Sequence, residues 1–192
     1  MKTENKIVKY LIENKEKAII SKLASELDAD YKIVHTATKR LIDRQILESV
    51  IVGKSILVWL SGKLDKEVIN AEFERREDVL KNKNLALLLE TIKNNLKTVN
   101  FTLILFGSYA KNKARSKSDI DLIFIVGENE EKFEREVKKS ISILPLDVHM
   151  FVFSEKQFID MKNSKELNVV KEAIRNNIIL HGIEMYYELI KK

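Results

Sequence analysis

The sequence predicts an α+β chain built from two unlike halves. Apolar residues recur at helical spacing as far as Leu41 and then give way to a β-hairpin pattern, whereas beyond residue 85 a helical stripe is followed by short β-favouring runs. A further sign of strand structure is the pair of aspartates in "SDIDLIF", two positions apart, which a strand turns to one face. With 192 residues, 45% of them apolar, the chain can bury a core, and disorder is not expected.

No internal repeat and no Pro/Gly/Ser-rich linker marks a boundary, so the change of periodicity near Ser61-Gly62 sets it. This divides the chain into a first domain over 1–62, a connecting helix over 63–84 and a second domain over 85–192. Ile7, Tyr10 and Leu11 predict a first helix, and Ile19, Leu23 and Leu27 a second. Asp28-Ala29-Asp30 reads as a turn whose Asp30 caps a third helix over 31–44. That helix puts Val34, Ala37 and Leu41 on one face and leaves Lys32, His35, Thr36, Lys39 and Arg40 largely on the other. In "ILESVIVGKSILVWL" two β-branched runs flank Gly53-Lys54, a hairpin signal because glycine accepts the positive φ of a tight turn. Trp59 is expected to anchor this hairpin to the rest of the first domain.

Three helices and a hairpin in this order resemble the winged helix-turn-helix family over residues 1–62. The resemblance implies duplex DNA as a partner, contacted by Lys32, His35, Thr36, Lys39 and Arg40 of the third helix and by Lys54 of the wing. Charge does not decide the matter: residues 1–62 hold 11 Lys+Arg and 8 Asp+Glu. A winged helix that only mediates protein contacts shows the same core pattern, and both readings stay open.

Residues 63–84 are charge-dense with few apolar residues, as expected of an exposed helix between domains. From Leu85 the stripe Leu85, Leu88, Leu89, Ile92, Leu96 predicts a core-facing helix. "NFTLILFGS" follows as a buried strand ended by a tight turn, with a helix beginning at Ser108. A helix start offers free N–H groups to a phosphate, Gly107 removes the Cβ that would block its approach, and Ser108 adds a hydroxyl.

On the next strand, "SDIDLIFIV", Asp119 and Asp121 point together while Ile120, Leu122 and Phe124 face the core. Two adjacent carboxylates resist joint ionisation unless a cation lies between them, and hard oxygen donors of this kind suit Mg²⁺. "LPLDVHMFVF" supplies a third carboxylate, Asp147, on a strand expected to neighbour the first pair. Three such carboxylates can hold two metal ions. His149 shares a face with Asp147 and reads as a core-edge histidine, with orientation of a metal ligand as the alternative. His35 and His181 read as surface or packing residues. Lys111, Lys113, Arg115 and Lys117 form a basic run that either attracts a triphosphate or is a solvated loop.

The run Gly107-Ser108-Tyr109-Ala110-Lys111 through Ser118-Asp119-Ile120-Asp121-Leu122 resembles the signature of the minimal nucleotidyltransferases of the DNA polymerase β superfamily. The likeness covers about residues 85–190 and includes "ILHGIEMY", similar to the family's final strand-turn-helix. It departs at Asn112, where many members have glycine. The resemblance implies a small mixed sheet flanked by helices, metal ligands at Asp119, Asp121 and Asp147, and phosphate contacts at Gly107 and Ser108. It also implies transfer of a nucleoside monophosphate from a nucleoside triphosphate, ATP being expected, to a hydroxyl with two Mg²⁺ ions. Members this small commonly serve as antitoxins that adenylylate a toxin carrying a HEPN domain, so a HEPN partner and a homodimer join nucleotide and DNA as expected partners. The alternatives are a DNA-binding regulator whose second half only binds nucleotide or a partner, and an enzyme acting on a small molecule or an RNA end.

A net charge of +5 permits contact with a polyanion without demanding one. The lack of cysteine excludes a disulfide framework and a thiolate metal site. No run resembles a signal peptide or a membrane span, which gives the expectation of a cytoplasmic protein with no membrane partner.

Overall fold

The structure, a computed structural model, describes residues 2–96, 98–115 and 118–192. The chain divides into two compact units, Met1–Glu74 and Arg75–Lys192. Among the described residues no helix is long and apolar enough to cross a membrane.

The first unit runs α1 (Thr3–Asn14), β1 (Ala18–Ile19), α2 (Ile20–Glu26), α3 (Tyr31–Asp43), β2 (Leu47–Val52) and β3 (Ser55–Leu60), and the strands form an antiparallel sheet in the order β1-β3-β2. Ile7, Val8, Leu11 and Ile12 of α1, Leu23 of α2 and Val34, Ala37 and Leu41 of α3 are buried together with Val58 of β3. Asp30 caps α3 as expected: its Oδ1 accepts from the Lys32 N–H at 2.9 Å and the Ile33 N–H at 3.2 Å. Gly53, at φ +60°, makes the hairpin turn. Ile19 departs from expectation, since it ends a two-residue strand that pairs with Leu57 rather than starting the second helix. Trp59 is tied within the unit, its indole N–H donating to Glu48 at 2.9 Å and the Lys17 ammonium lying 3.7 Å above its ring.

The boundary between the units falls within α4 (Lys66–Leu80). The expectation of an exposed connector needs correcting. Val68, Ala71, Glu72 and Arg75 are all buried, and they follow the i, i+3, i+4, i+7 pattern. Two of the four are charged, which conceals the stripe in the sequence. Within the first unit Arg44 forks onto Asp65 at 2.6 Å and onto both oxygens of Glu67 at 2.8 and 2.6 Å. This bond is the main reason the Glu67 carboxyl titrates at about 2.

The second unit continues with α5 (Lys83–Asn95), β4 (Phe101–Phe106), α6 (Gly107–Ala110), β5 (Ile120–Val126), α7 (Glu130–Ile141), β6 (Val148–Ser154), α8 (Glu155–Asn163), α9 (Val169–Arg175), β7 (Ile178–His181) and α10 (Ile183–Lys191). Its sheet has the order β6-β5-β4-β7 and is mixed: β4 pairs antiparallel with β5 and β7, and β5 pairs parallel with β6. The predicted stripe Leu85, Leu88, Leu89, Ile92, Leu96 joins Phe133 and Val137 of α7 against Leu103, Leu105, Ile120, Leu122 and Phe124. Residues of opposite parity, Ile104, Ile123 and Ile125, are buried as well, because α8, α9 and α10 lie against the sheet. Along β5 Asp121 alone is not buried, and on the same face the neighbouring strand β6 leaves His149 and Phe151 exposed.

Candidate active site

The opening in the sheet is where the aspartates gather. Asp119 immediately precedes β5 and Asp121 is its second residue, so strand alternation turns both to the face that also carries Ile123 and Ile125. In the parallel ladder Asp121 pairs with His149, and the Ile120 N–H donates to the Asp147 carbonyl at 2.9 Å. That register sets Asp147 beside Asp119 and His149 beside Asp121. The three predicted carboxylates therefore converge. They differ in exposure, from 26% for the Asp121 side chain to 74% for Asp147.

His149 stands among them. Its Nδ1 lies 3.9 Å from Asp119 and 3.8 Å from Asp121, and its Nε2 lies 3.9 Å from Asp147. The core-edge reading of this histidine is corrected: the ring is 56% exposed. Asp119, Asp147 and His149 each offer a ligand atom within 4.8 Å of the others. Two carboxylates and an imidazole at that spacing fit a divalent cation.

Burial raises the Asp121 pKa above its ordinary value; Asp119 and Glu172 push it further up, while His149 and Lys111 draw it down. Glu172 reaches the site from α9, which covers the same face of the sheet, and it holds the Lys111 ammonium at 3.0 Å. Sequence reading missed this residue, because the pattern of α9 gives no hint of which side of the sheet it covers.

Gly107 serves Asp121 directly. A Cβ at this position would lie 2.0 Å from Asp121 Oδ2, and the residue adopts φ +66°. The missing side chain thus makes room for a carboxylate, in addition to any phosphate. The helix expected at Ser108 is corrected too. α6 starts one residue earlier, at Gly107, and lasts a single turn, too short for an appreciable macrodipole. Asn112 sits at φ +51°, a left-handed conformation that asparagine tolerates, so the departure from glycine leaves the loop path intact.

Lys113 and Arg115 are exposed, and Lys117 lies outside the described residues. In the first unit Lys32, Thr36, Lys39 and Arg40 are exposed along α3, His35 is half-buried with its ring 5.8 Å from Tyr31, and Lys54 is exposed in the hairpin turn. Arg40 also pairs with Glu4 at 3.3 Å. His181 is a packing residue: its Nε2 lies 2.9 Å from the Val99 carbonyl and its ring 4.5 Å from that of Phe101. The carboxylates Glu128 and Glu130 follow the far end of β5, roughly 20 Å from Asp121 at strand rise, and cannot replace Asp147.

A family model described as polymerase beta, nucleotidyltransferase matches residues 87–185, just over half of the chain. No curated protein and no solved structure matches the chain.

Proposed function

The chain belongs to the polymerase β nucleotidyltransferase family, and on that premise we propose that it moves AMP from ATP to a hydroxyl group on a protein partner. The observation that carries the chemistry is the convergence of Asp119, Asp121 and Asp147 with His149 at one end of the sheet, beside the Gly107-Ser108 turn. When bound, Mg²⁺ supplies charge neutralisation for the triphosphate and eases departure of pyrophosphate. Ser108 and the loop amides hold the phosphates, and Lys111 adds positive charge beside them. Asp119 and Asp121 carry the ionic load. Asp147, the most exposed carboxylate, meets the incoming hydroxyl and takes its proton. The acceptor oxygen then bonds to the α-phosphorus as the bond to the bridging oxygen breaks, and pyrophosphate leaves.

A protein acceptor is favoured because the minimal nucleotidyltransferases that this chain resembles commonly act on HEPN-domain toxins. The first unit, with its three helices and hairpin, fits a winged helix-turn-helix whose Lys32, His35, Thr36, Lys39, Arg40 and Lys54 contact duplex DNA. Incubation with labelled ATP, Mg²⁺ and a HEPN-domain protein, beside parallel incubations with RNA and small hydroxyl compounds, tests the acceptor. Label on the HEPN protein supports the reading, and label on RNA or a small compound alone rejects it. Salt-sensitive binding to duplex DNA that is lost in the Lys39→Ala/Arg40→Ala double variant tests the DNA role. An exposed apolar tip, with Ile51 77% accessible, favours a protein contact as the second reading for this hairpin.

A further inference from the structure

We infer that a ring nitrogen of His149 is itself a ligand of the active-site cation, together with Asp119 and Asp147, and that it biases the site towards a transition-metal ion over Mg²⁺. The inference rests on the metal-dependent reading above and adds the identity of the ion. A site for Mg²⁺ alone needs only oxygen donors and water. Here an imidazole projects from the strand position paired with Asp121, in the midst of the carboxylates rather than behind them.

The distances separate a ligand from a supporting group. A histidine that orients a carboxylate does so by a hydrogen bond, at about 2.7–3.2 Å. All three separations here are 3.8 or 3.9 Å, too long for such a bond. Around an ion with bonds of about 2.1 Å, adjacent donors lie about 3 Å apart and opposed donors about 4.2 Å apart. With one donor atom taken from each of Asp119, Asp147 and His149, the three lie within 4.8 Å of one another, somewhat wider than that range, so the side chains must close in to share one ion. The backbone supports this, because the parallel ladder fixes His149 against Asp121 while leaving its exposed ring free to rotate about χ1 and χ2. Imidazole nitrogen is a softer donor than carboxylate oxygen and strengthens binding of Mn²⁺ and the later ions of the transition series more than it does for Mg²⁺.

Mn²⁺ alone is the probe, used with the whole 192-residue chain. Pulsed electron paramagnetic resonance of the protein-bound Mn²⁺ is expected to show coupling to a nitrogen nucleus, absent in His149→Ala and His149→Gln. Competition with Mg²⁺ is expected to need a large excess for the parent, and that preference should fall about tenfold in both variants, the scale on which groups at a metal site act. Absence of nitrogen coupling in the parent, or an unchanged Mn²⁺/Mg²⁺ preference in the variants, overturns the inference while leaving the nucleotidyltransferase reading intact. Equal Mn²⁺ binding by the parent, Asp119→Asn and Asp121→Asn would remove the metal site altogether, and the inference with it.

Discussion

Replacing Gly107 by alanine perturbs the site without touching a charged group. The new Cβ would sit 2.0 Å from Asp121 Oδ2 and 2.9 Å from its Cγ, so the carboxylate must retreat by about 1.4 Å to reach ordinary contact. The backbone adds its own term, since an alanine at φ +66° costs roughly 1–2 kcal/mol. Denaturant unfolding should therefore show a loss of about that size, together with any residual strain from the moved carboxylate. A misplacement on the order of 1 Å in a catalytic group lowers turnover by about a hundredfold. The assays are urea unfolding, calorimetric titration with Mg²⁺ and ATP, and pyrophosphate release in the presence of an acceptor. The double variant Gly107→Ala/Asp121→Gly removes the clash but keeps the backbone cost, so stability should recover in part and activity not at all. Transfer by Gly107→Ala within about twofold of the parent would refute the argument that this glycine exists to seat Asp121.

Two further predictions concern pH. The Asp121 pKa is raised on folding, so its ionised form costs stability above that raised value and costs nothing below the ordinary 3.8; Asp121→Asn should stabilise the metal-free protein at neutral pH and match it in acid, as read from urea midpoints. Glu67 runs the other way: its pKa falls from 4.5 to about 2, so its contribution is complete above 4.5 and lost as pH drops towards 2, and Glu67→Gln should flatten the acid unfolding of the first unit over that window.

The features that sequence made legible are those written in local pattern. The α5 stripe, the Asp30 cap and the Gly53 turn each lie within a few residues of one another, and the Asp119/Asp121 pair follows from strand alternation alone. What stayed hidden depends on partners distant in sequence. β1 is two residues long and has no periodicity to detect. The buried side of α4 was masked by Glu72 and Arg75, the latter bonded through its guanidinium to the Asn177 carbonyl, more than a hundred residues away. His149 owes its place to the register between β6 and β5, which no single-strand pattern specifies. The closeness of Gly107 to Asp121 likewise depends on the β4–β5 register, in which Asp121 pairs with Phe106, the residue before the glycine.

The central claim, that Asp119, Asp121 and Asp147 transfer a nucleoside monophosphate, is tested most directly by following the phosphate label of the donor. ATP labelled at the α-phosphorus and ATP labelled at the γ-phosphorus are incubated in parallel with Mg²⁺, the protein and its acceptor. The account predicts that only the α label becomes attached to the acceptor, that the γ label leaves in pyrophosphate, and that Asp121→Asn abolishes both events while keeping the fold. Transfer of the γ label, or undiminished α transfer by Asp121→Asn, would contradict it.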